Sequence, residues 1–409
     1  MSALPFEHES RRARILVLVA IVLLALNLRV AVGSLGVLLS TVRDDLGMST
    51  TIAGILTTLP VLCFAFFGAT TNSVVRKVGL HRTAALLLVL IVIGLVVRAV
   101  VDSQALFVVA SAAALAGGAV GNVVLPPLVK LHFPHKIATV SSLYTAAMMG
   151  GVALASALSV PIADVGGGWR VGLFAWAVLA LITLLPWLGL LRHDVHVNAR
   201  QSSKMTLATV RSSPLAWAMA LFFATQSAQA YAQFGWLPAI FVDAGLSSSA
   251  AALLQSIVPG IGIPLTLMLP YLMRKFGHRP VLPWFFGLVT IAGWTGILLA
   301  PTNAPWLWAG LLGLGGGAFS WVLTMLAQRT RTPDGTAALS SFVQSIGYLL
   351  SAVGPLGTGL LHEATGDWTV PIAVLLALTA PMLWTGLRIA RATPLEDELA
   401  SQRHRGCGS

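Results

Sequence analysis

An arginine, Arg29, stands in the middle of an apolar run that extends from about Ile15 to Leu39. A run of that length crosses a bilayer, which takes roughly 20 apolar residues. Arg29 lies 14 residues into it. At helical rise that is about 21 Å, near mid-membrane. A guanidinium at that depth costs about 2.5–3.5 kcal/mol on insertion scales, and it does not shed its proton. It has to meet water, a polar partner or an anion. Arg29 is therefore the leading candidate for the counter-charge of a substrate site. The competing reading is a structural arginine bonded to backbone carbonyls inside a helix bundle.

The rest of the chain agrees with a membrane setting. Of 409 residues, 56% are hydrophobic and only 10% charged, against about 25% charged in soluble domains. The net charge of +11 does not point to nucleic acid, because the basic residues fall mainly in alternate loops. Cys63 in an apolar run and Cys407 in the tail do not form a disulfide pattern. The polar start, Met1–Ser10, carries Glu7 and Glu9, and the first apolar run lacks a clear cleavage site, so it reads as a retained helix.

Apolar runs separated by loop signals predict an all-α polytopic protein of twelve transmembrane helices: 15–39, 51–74, 83–101, 104–129, 138–163, 169–191, 214–242, 249–273, 281–300, 305–327, 336–362 and 368–390. The long polar linker, 192–213, divides a six-helix half, 1–191, from a second, 214–391, with a tail at 392–409. With this count, 21 of the 25 basic residues face one side; Arg43, Arg98 and Arg170 face the other, and Arg29 lies within. The excess of Lys and Arg marks the cytoplasmic side, which puts both termini and the linker there, in a cell membrane.

The halves are related. Asp45, Gly47 and Ser49 recur as Asp243, Gly245 and Ser247, and Arg76, Lys77 and Gly79 recur as Arg274, Lys275 and Gly277, all at a shift of 198. Ser141-Ser142 and Trp169 recur as Ser340-Ser341 and Trp368 at a shift of 199. A near-constant shift across six helices is a parallel repeat, the organisation of transporters whose site lies at midplane between the halves.

The polar residues inside the helices are the site candidates. Asn27 accompanies Arg29. Gln226, Gln229, Gln233 and Trp236 share one face of the seventh helix by their 3, 4, 3 spacing. Amides are costly toward lipid, so this face lines a cavity or another helix. Tyr231 falls on a different face and reads as packing. Tyr144 on the fifth helix, and Gln344 and Tyr348 on the eleventh, offer further polar groups, each with ordinary packing as the alternative. Asn122, Gln255, Trp294 and Trp321 are weaker candidates of the same kind. Arg98 reads as a helix-end residue paired with Asp102 or Glu363. No Asp or Glu lies deep in a predicted helix, and His81, His132, His135 and His193 fall in cytoplasmic loops. A buried proton relay is therefore not expected, nor is selectivity for organic cations. Nucleotide-binding, metal-ligand and catalytic-triad signatures are absent, so neither a cofactor, a metal nor an enzyme is expected.

Several segments carry a family resemblance: Asn27-Leu28-Arg29, Gly54 to Cys63, Gly121 to Lys130, Ser142 to Thr145, Gly167 to Arg170, and Gly235 to Pro238. In order, one per expected helix, they make the chain resemble a major facilitator superfamily transporter, and within it the cyanate and 2-nitroimidazole transporter branch. The resemblance implies two pseudo-symmetric six-helix halves, alternating access and a small substrate, anionic or electron-rich. Asn72 stands where the superfamily has an acidic residue before its basic turn, so that gating interaction is not carried over. The expectation is a secondary active transporter, monomeric in the lipid bilayer, that holds a small anion or polar molecule at Arg29. A drug or metabolite exporter of the same fold, or a ligand-binding channel or sensor, are the alternatives.

Overall fold

The structure is a computed structural model that describes residues 11–191, 207–276 and 279–406. In the first half, α1 (Arg11–Asn27) and α2 (Val30–Leu46) make one span, interrupted at Leu28 and Arg29. It is followed by α3 (Thr50–Val78), α4 (Leu80–Val100), α5 (Gln104–His132), α6 (Ile137–Gly166) and α7 (Trp169–Leu190). After the short α8 (Leu207–Arg211), the second half holds α9 (Pro214–Asp243), α10 (Ser248–Phe276) and α11 (Val281–Leu299). Three interrupted spans complete it: α12 (Pro305–Gly315) with α13 (Gly317–Gln328), α14 (Pro333–Ser351) with α15 (Val353–Thr365), and α16 (Thr369–Ala377) with α17 (Thr379–Arg391). A final helix, α18 (Leu395–Gly406), follows.

Eleven of these spans are long and apolar enough to cross a membrane. The remaining one, α9, has the length, but its three glutamines lower its hydropathy. It is buried along most of its course instead of facing lipid. The peripheral helices show the opposite pattern: Leu181, Ile182, Leu185 and Leu188 of α7 point outward as a bilayer demands. The twelve-helix, two-half architecture expected from the sequence is what the chain forms.

Some of the repeated residues are helix-ending devices, while Gly277 lies outside the described residues. Gly47 and Gly245 adopt positive φ, 63° and 99°, at the ends of α2 and α9. A β-carbon is strained in that conformation, so glycine recurs there. Two residues on, Ser49 accepts from the Ile52 N–H and Ser247 from the Ala250 N–H, capping α3 and α10. Trp169 donates its indole N–H to Asp45 (3.0 Å), and Trp368 does the same to Asp243 (2.8 Å). Each half thus ties its first span to its last with the same indole–carboxylate bond.

Two expectations need correcting. Arg98 is not a snorkelling helix-end residue. It is fully buried, donating to the Ala31 carbonyl (3.1 Å) and the Ser34 hydroxyl (2.7 Å) of α2. Its expected partners are engaged elsewhere, Asp102 with Arg170 and Glu363 with Thr51. His81 and His132 are not loop residues either. They are buried in α4 and α5, their Nε2 atoms 2.9 Å apart beside Trp187. Loop counting is blind to a long side chain such as that of Arg98 turning inward, and the expected spans 83–101 and 104–129 stopped short of His81 and His132, which α4 and α5 include. His193 and the side chain of Asn72 lie outside what the structure describes.

Candidate functional site

The first transmembrane span breaks at its central cation. Arg29 sits at φ −123°, ψ 0°, between α1 and α2. Gly118 of α5 lies so near the Leu28 carbonyl that a β-carbon there would collide with it. The span of α12 and α13 breaks at Gly316, and Phe319 follows one turn later. These two interruptions, one from each half, face each other: the Arg29 guanidinium carbon lies 5.5 Å from the Phe319 ring centre and 5.9 Å from that of Phe64.

Arg29 is only 6% exposed. Its Nε–H has no hydrogen-bond partner, and its guanidinium forms no hydrogen bond or salt bridge among the described residues. The contrast with Arg98 is direct, since that cation is bonded to groups of its own half. Cation–π contact with two desolvated rings contributes about 2 kcal/mol each, whereas burying an uncompensated ion costs several kcal/mol. The side chain is left with donors to offer.

It offers them to a cavity of about 60 Å³, whose wall also includes Gln226, Ser227, Gln233, Phe319 and Ser320. That is room for about four water molecules, or a ligand of similar size. Ser227 is the residue at the repeat position of Arg29, so the two equivalent positions meet in one cavity. Thr266, Phe319 and Ser320 belong also to a much larger vestibule of about 850 Å³. The vestibule is walled by Ser141, Ser142 and Thr145 from the first half and by Arg274, Gln328 and Arg329 from the second, and it opens at the end where the basic loops lie. Among the described residues, no carboxylate lines either space.

At the opposite end the halves are closed. Gly36 of α2 abuts the Phe234 carbonyl of α9, Gly235 abuts Thr57, and Gly54 abuts Leu356. The Thr51 hydroxyl donates to Glu363 across the same seam (2.7 Å). The molecule is therefore open toward its basic end and shut at the other.

The sequence candidates divide accordingly. Arg29, Gln226 and Gln233 line the central cavity. Asn27 does not: its amide donates to the Leu23 carbonyl and to Thr183 of α7, both at 2.8 Å, which turns it away. Gln229 accepts from the Trp294 indole N–H (3.0 Å) and lines a small side space behind the cavity with Gln226 and Gln233. The 3, 4, 3 stripe is wide enough that its members diverge. Trp236 belongs to the closed end, its N–H held by the Pro355 carbonyl at 2.8 Å. Tyr348 is buried in an aromatic cluster, stacked on Phe64 at 5.1 Å. Tyr144, Gln344 and Asn122 line none of these spaces. Trp321 packs on Phe222, and Gln255 is buried with neither amide atom hydrogen-bonded among the described residues. Sequence reasoning missed Met149, Tyr231, Thr266, Phe319 and Ser320 as cavity residues. For Phe319 and Ser320 the signal was available, since they closely follow the glycine run Gly315 to Gly317.

Two related six-helix halves that enclose a central cavity reached by a buried cation and two glutamines make the architecture of a membrane transporter. A family model described as Major Facilitator Superfamily matches residues 17–355, and the chain belongs to that family. It is 34% identical to a 2-nitroimidazole transporter of Escherichia coli over 93% of this chain and 97% of that one. It is 29% identical to the cyanate transport protein CynX of the same organism, over 86% and 91%. Among solved structures, the nucleoside transporter NupG shares the fold at a TM-score of 0.73 with 12% identity, covering 93% of this chain and 100% of that one.

Proposed function

We propose that this protein is a secondary active transporter of small anions, or of small electron-rich molecules, held at Arg29. The observation that carries the reading is a buried guanidinium with open donors, facing a cavity that no carboxylate lines. An anion seated there supplies the missing counter-charge, and the planar fork suits a flat or linear acceptor. Gln226, Gln233 and Ser320 complete its shell. The vestibule arginines, Arg274 and Arg329, raise the local concentration of anions at the mouth.

The basic end faces the cytoplasm by the excess of Lys and Arg, so the structure corresponds to an inward-open state, with both termini cytoplasmic in the cell membrane. The moving bodies are residues 1–191 and 214–391, joined by the linker 192–213, with the tail at 392–409. Rocking of one on the other closes the vestibule and parts the seam at Gly36 and Phe234. Because the bound anion cancels the charge of Arg29, the loaded carrier crosses the occluded state more readily than the empty one. Names of the relatives favour cyanate-like or nitroimidazole-like cargo, and a cavity of about 60 Å³ favours the smaller of the two. The protein works as a monomer and performs no catalysis.

Counterflow in proteoliposomes, with cyanate and 2-nitroimidazole as probes, tests the reading. Wild-type protein is expected to exchange at least one of them, and Arg29→Ala to abolish exchange while remaining folded in detergent. Exchange by Arg29→Ala at the wild-type rate would remove Arg29 from the mechanism. Flux far above carrier rates without counterflow would make the protein a channel.

A further inference from the structure

We infer that Tyr231 is a second ligand-facing donor of the Arg29 site and a determinant of which anions it accepts. The inference rests on the Arg29 reading and extends it.

Tyr231 lies in α9 between Gln229 and Gln233, and is almost wholly buried. Its hydroxyl has no hydrogen-bond partner among the described residues. A buried hydroxyl is ordinarily satisfied, and an orphaned one calls for a reason. Packing does not supply it. The ring neighbours are Phe64 at 6.3 Å, Phe234 at 5.8 Å and Tyr348 at 6.5 Å. In such a cluster phenylalanine fills the same space without an unpaired oxygen, and the chain uses sixteen phenylalanines against four tyrosines.

Position supplies the reason. Tyr231 lines the central cavity with Arg29. Together with Phe234 it also lines a narrow apolar crevice on the other side, bounded by Gly36, Leu56 and Thr57 at the closed seam. The side chain is therefore the partition between the cargo cavity and the route beyond it. Phe64 borders both the Arg29 guanidinium and the Tyr231 ring, and both residues line the same small cavity. Beside a fixed cation, the hydroxyl turns its oxygen toward the charge when the cavity holds no anion. With an anion seated, it turns its hydrogen to the anion. The site then offers donors from two directions, the guanidinium and the phenol. It favours ligands with two separated acceptor atoms, such as a linear or planar oxyanion, over spherical anions that accept hydrogen bonds weakly.

The test uses purified full-length protein in detergent, with the ligand-dependent rise in melting temperature giving affinities for cyanate and for iodide. For Tyr231→Phe, the melting temperature without ligand is expected to equal or exceed that of wild type, since an unpaired hydroxyl is removed. Cyanate affinity is expected to fall about 10- to 100-fold, the worth of one hydrogen bond to a charged group. Iodide affinity is expected to stay within about twofold, because iodide gains little from that bond. The ratio of the two is the readout that a purely structural tyrosine does not move. If Tyr231→Phe keeps the wild-type ratio while Arg29→Ala loses binding, Tyr231 is a packing residue and the Arg29 site stands. If Arg29→Ala binds cyanate like wild type, or if wild type binds neither probe, the Arg29 reading falls and this inference with it.

Discussion

Gly36→Ala offers a measurement of the alternating states. In this structure, α2 and α9 meet where the Phe234 carbonyl oxygen occupies the place of a β-carbon on Gly36. The obstacle is backbone, so it does not swing aside as a side chain would. Forcing a methyl group into a filled contact costs about 1–3 kcal/mol. That cost falls only on the state in which the seam is closed. When the halves part at that end, the methyl has room. Alanine's better helix propensity, about 1 kcal/mol over glycine, is gained in both states and cancels. On the proposed rocking mechanism, the ratio of protein open at this seam to protein closed there should therefore rise about 5- to 150-fold. A cysteine at Thr57, which borders the crevice beside this seam and is 6% exposed, reports the change. In a background lacking Cys63 and Cys407, a membrane-impermeant maleimide added on the side opposite the basic loops should label Gly36→Ala faster than the parent. Equal labelling rates, in a variant with the parent's melting temperature, would refute the assignment of this contact to the closed gate.

Other expectations follow from the two buried arginines and from the tail. Arg98→Ala removes bonds to Ala31 and Ser34 and leaves a void, which should cost about 3 kcal/mol or more and lower the melting temperature, unlike Arg29→Ala. Gln229→Ala strands the Trp294 indole N–H. It should cost about 1–3 kcal/mol of stability with ligand affinity nearly unchanged, separating it from Gln226 and Gln233. Glu396 of α18 accepts from the Arg331 and Thr332 N–H groups and from the Thr332 hydroxyl. Burial pushes its carboxyl up, and these hydrogen bonds together outweigh it and hold it below its usual 4.5. A depressed folded value stabilises docking above the unfolded value and loses it as pH falls through the folded one. Limited proteolysis of the tail should therefore be slow above pH 4.5 and accelerate below it. In liposomes, exchange of labelled cyanate should outpace its net efflux if, as proposed, the empty carrier has to pass the occluded state with Arg29 uncompensated. Equal rates would contradict that account.

Much of the fold was legible because a bilayer enforces local rules. A span has to be apolar over about 20 residues, and basic loops stay on one side. Asp45-x-Gly47-x-Ser49 and its copy at Asp243 betrayed the repeat because each residue serves a local device: an indole acceptor, a left-handed stop and a cap. Arg29 stood out because its charge is costly wherever its helix goes. The site was harder to read. Which of Gln226, Gln229 and Gln233 lines the central cavity depends on the rotation of α9 against α10, α11 and α17. Asn27 was drawn off by Thr183, more than 150 positions away, and Arg98 was drawn inward by α2.

What the sequence alone determined was a membrane protein of twelve spans in two copies of one plan, with an isolated cation near its centre. These properties follow from one-dimensional patterns: hydropathy, charge alternation and a constant shift. Only the tertiary structure decided that this cation lies at a helix break opposite Phe319, that Arg98 is bonded by its own half while Arg29 is not, and that one end is open and the other shut. Those outcomes depend on which distant backbone atoms approach closely enough to accept a hydrogen bond or to exclude a side chain, and spacing along the chain does not encode that.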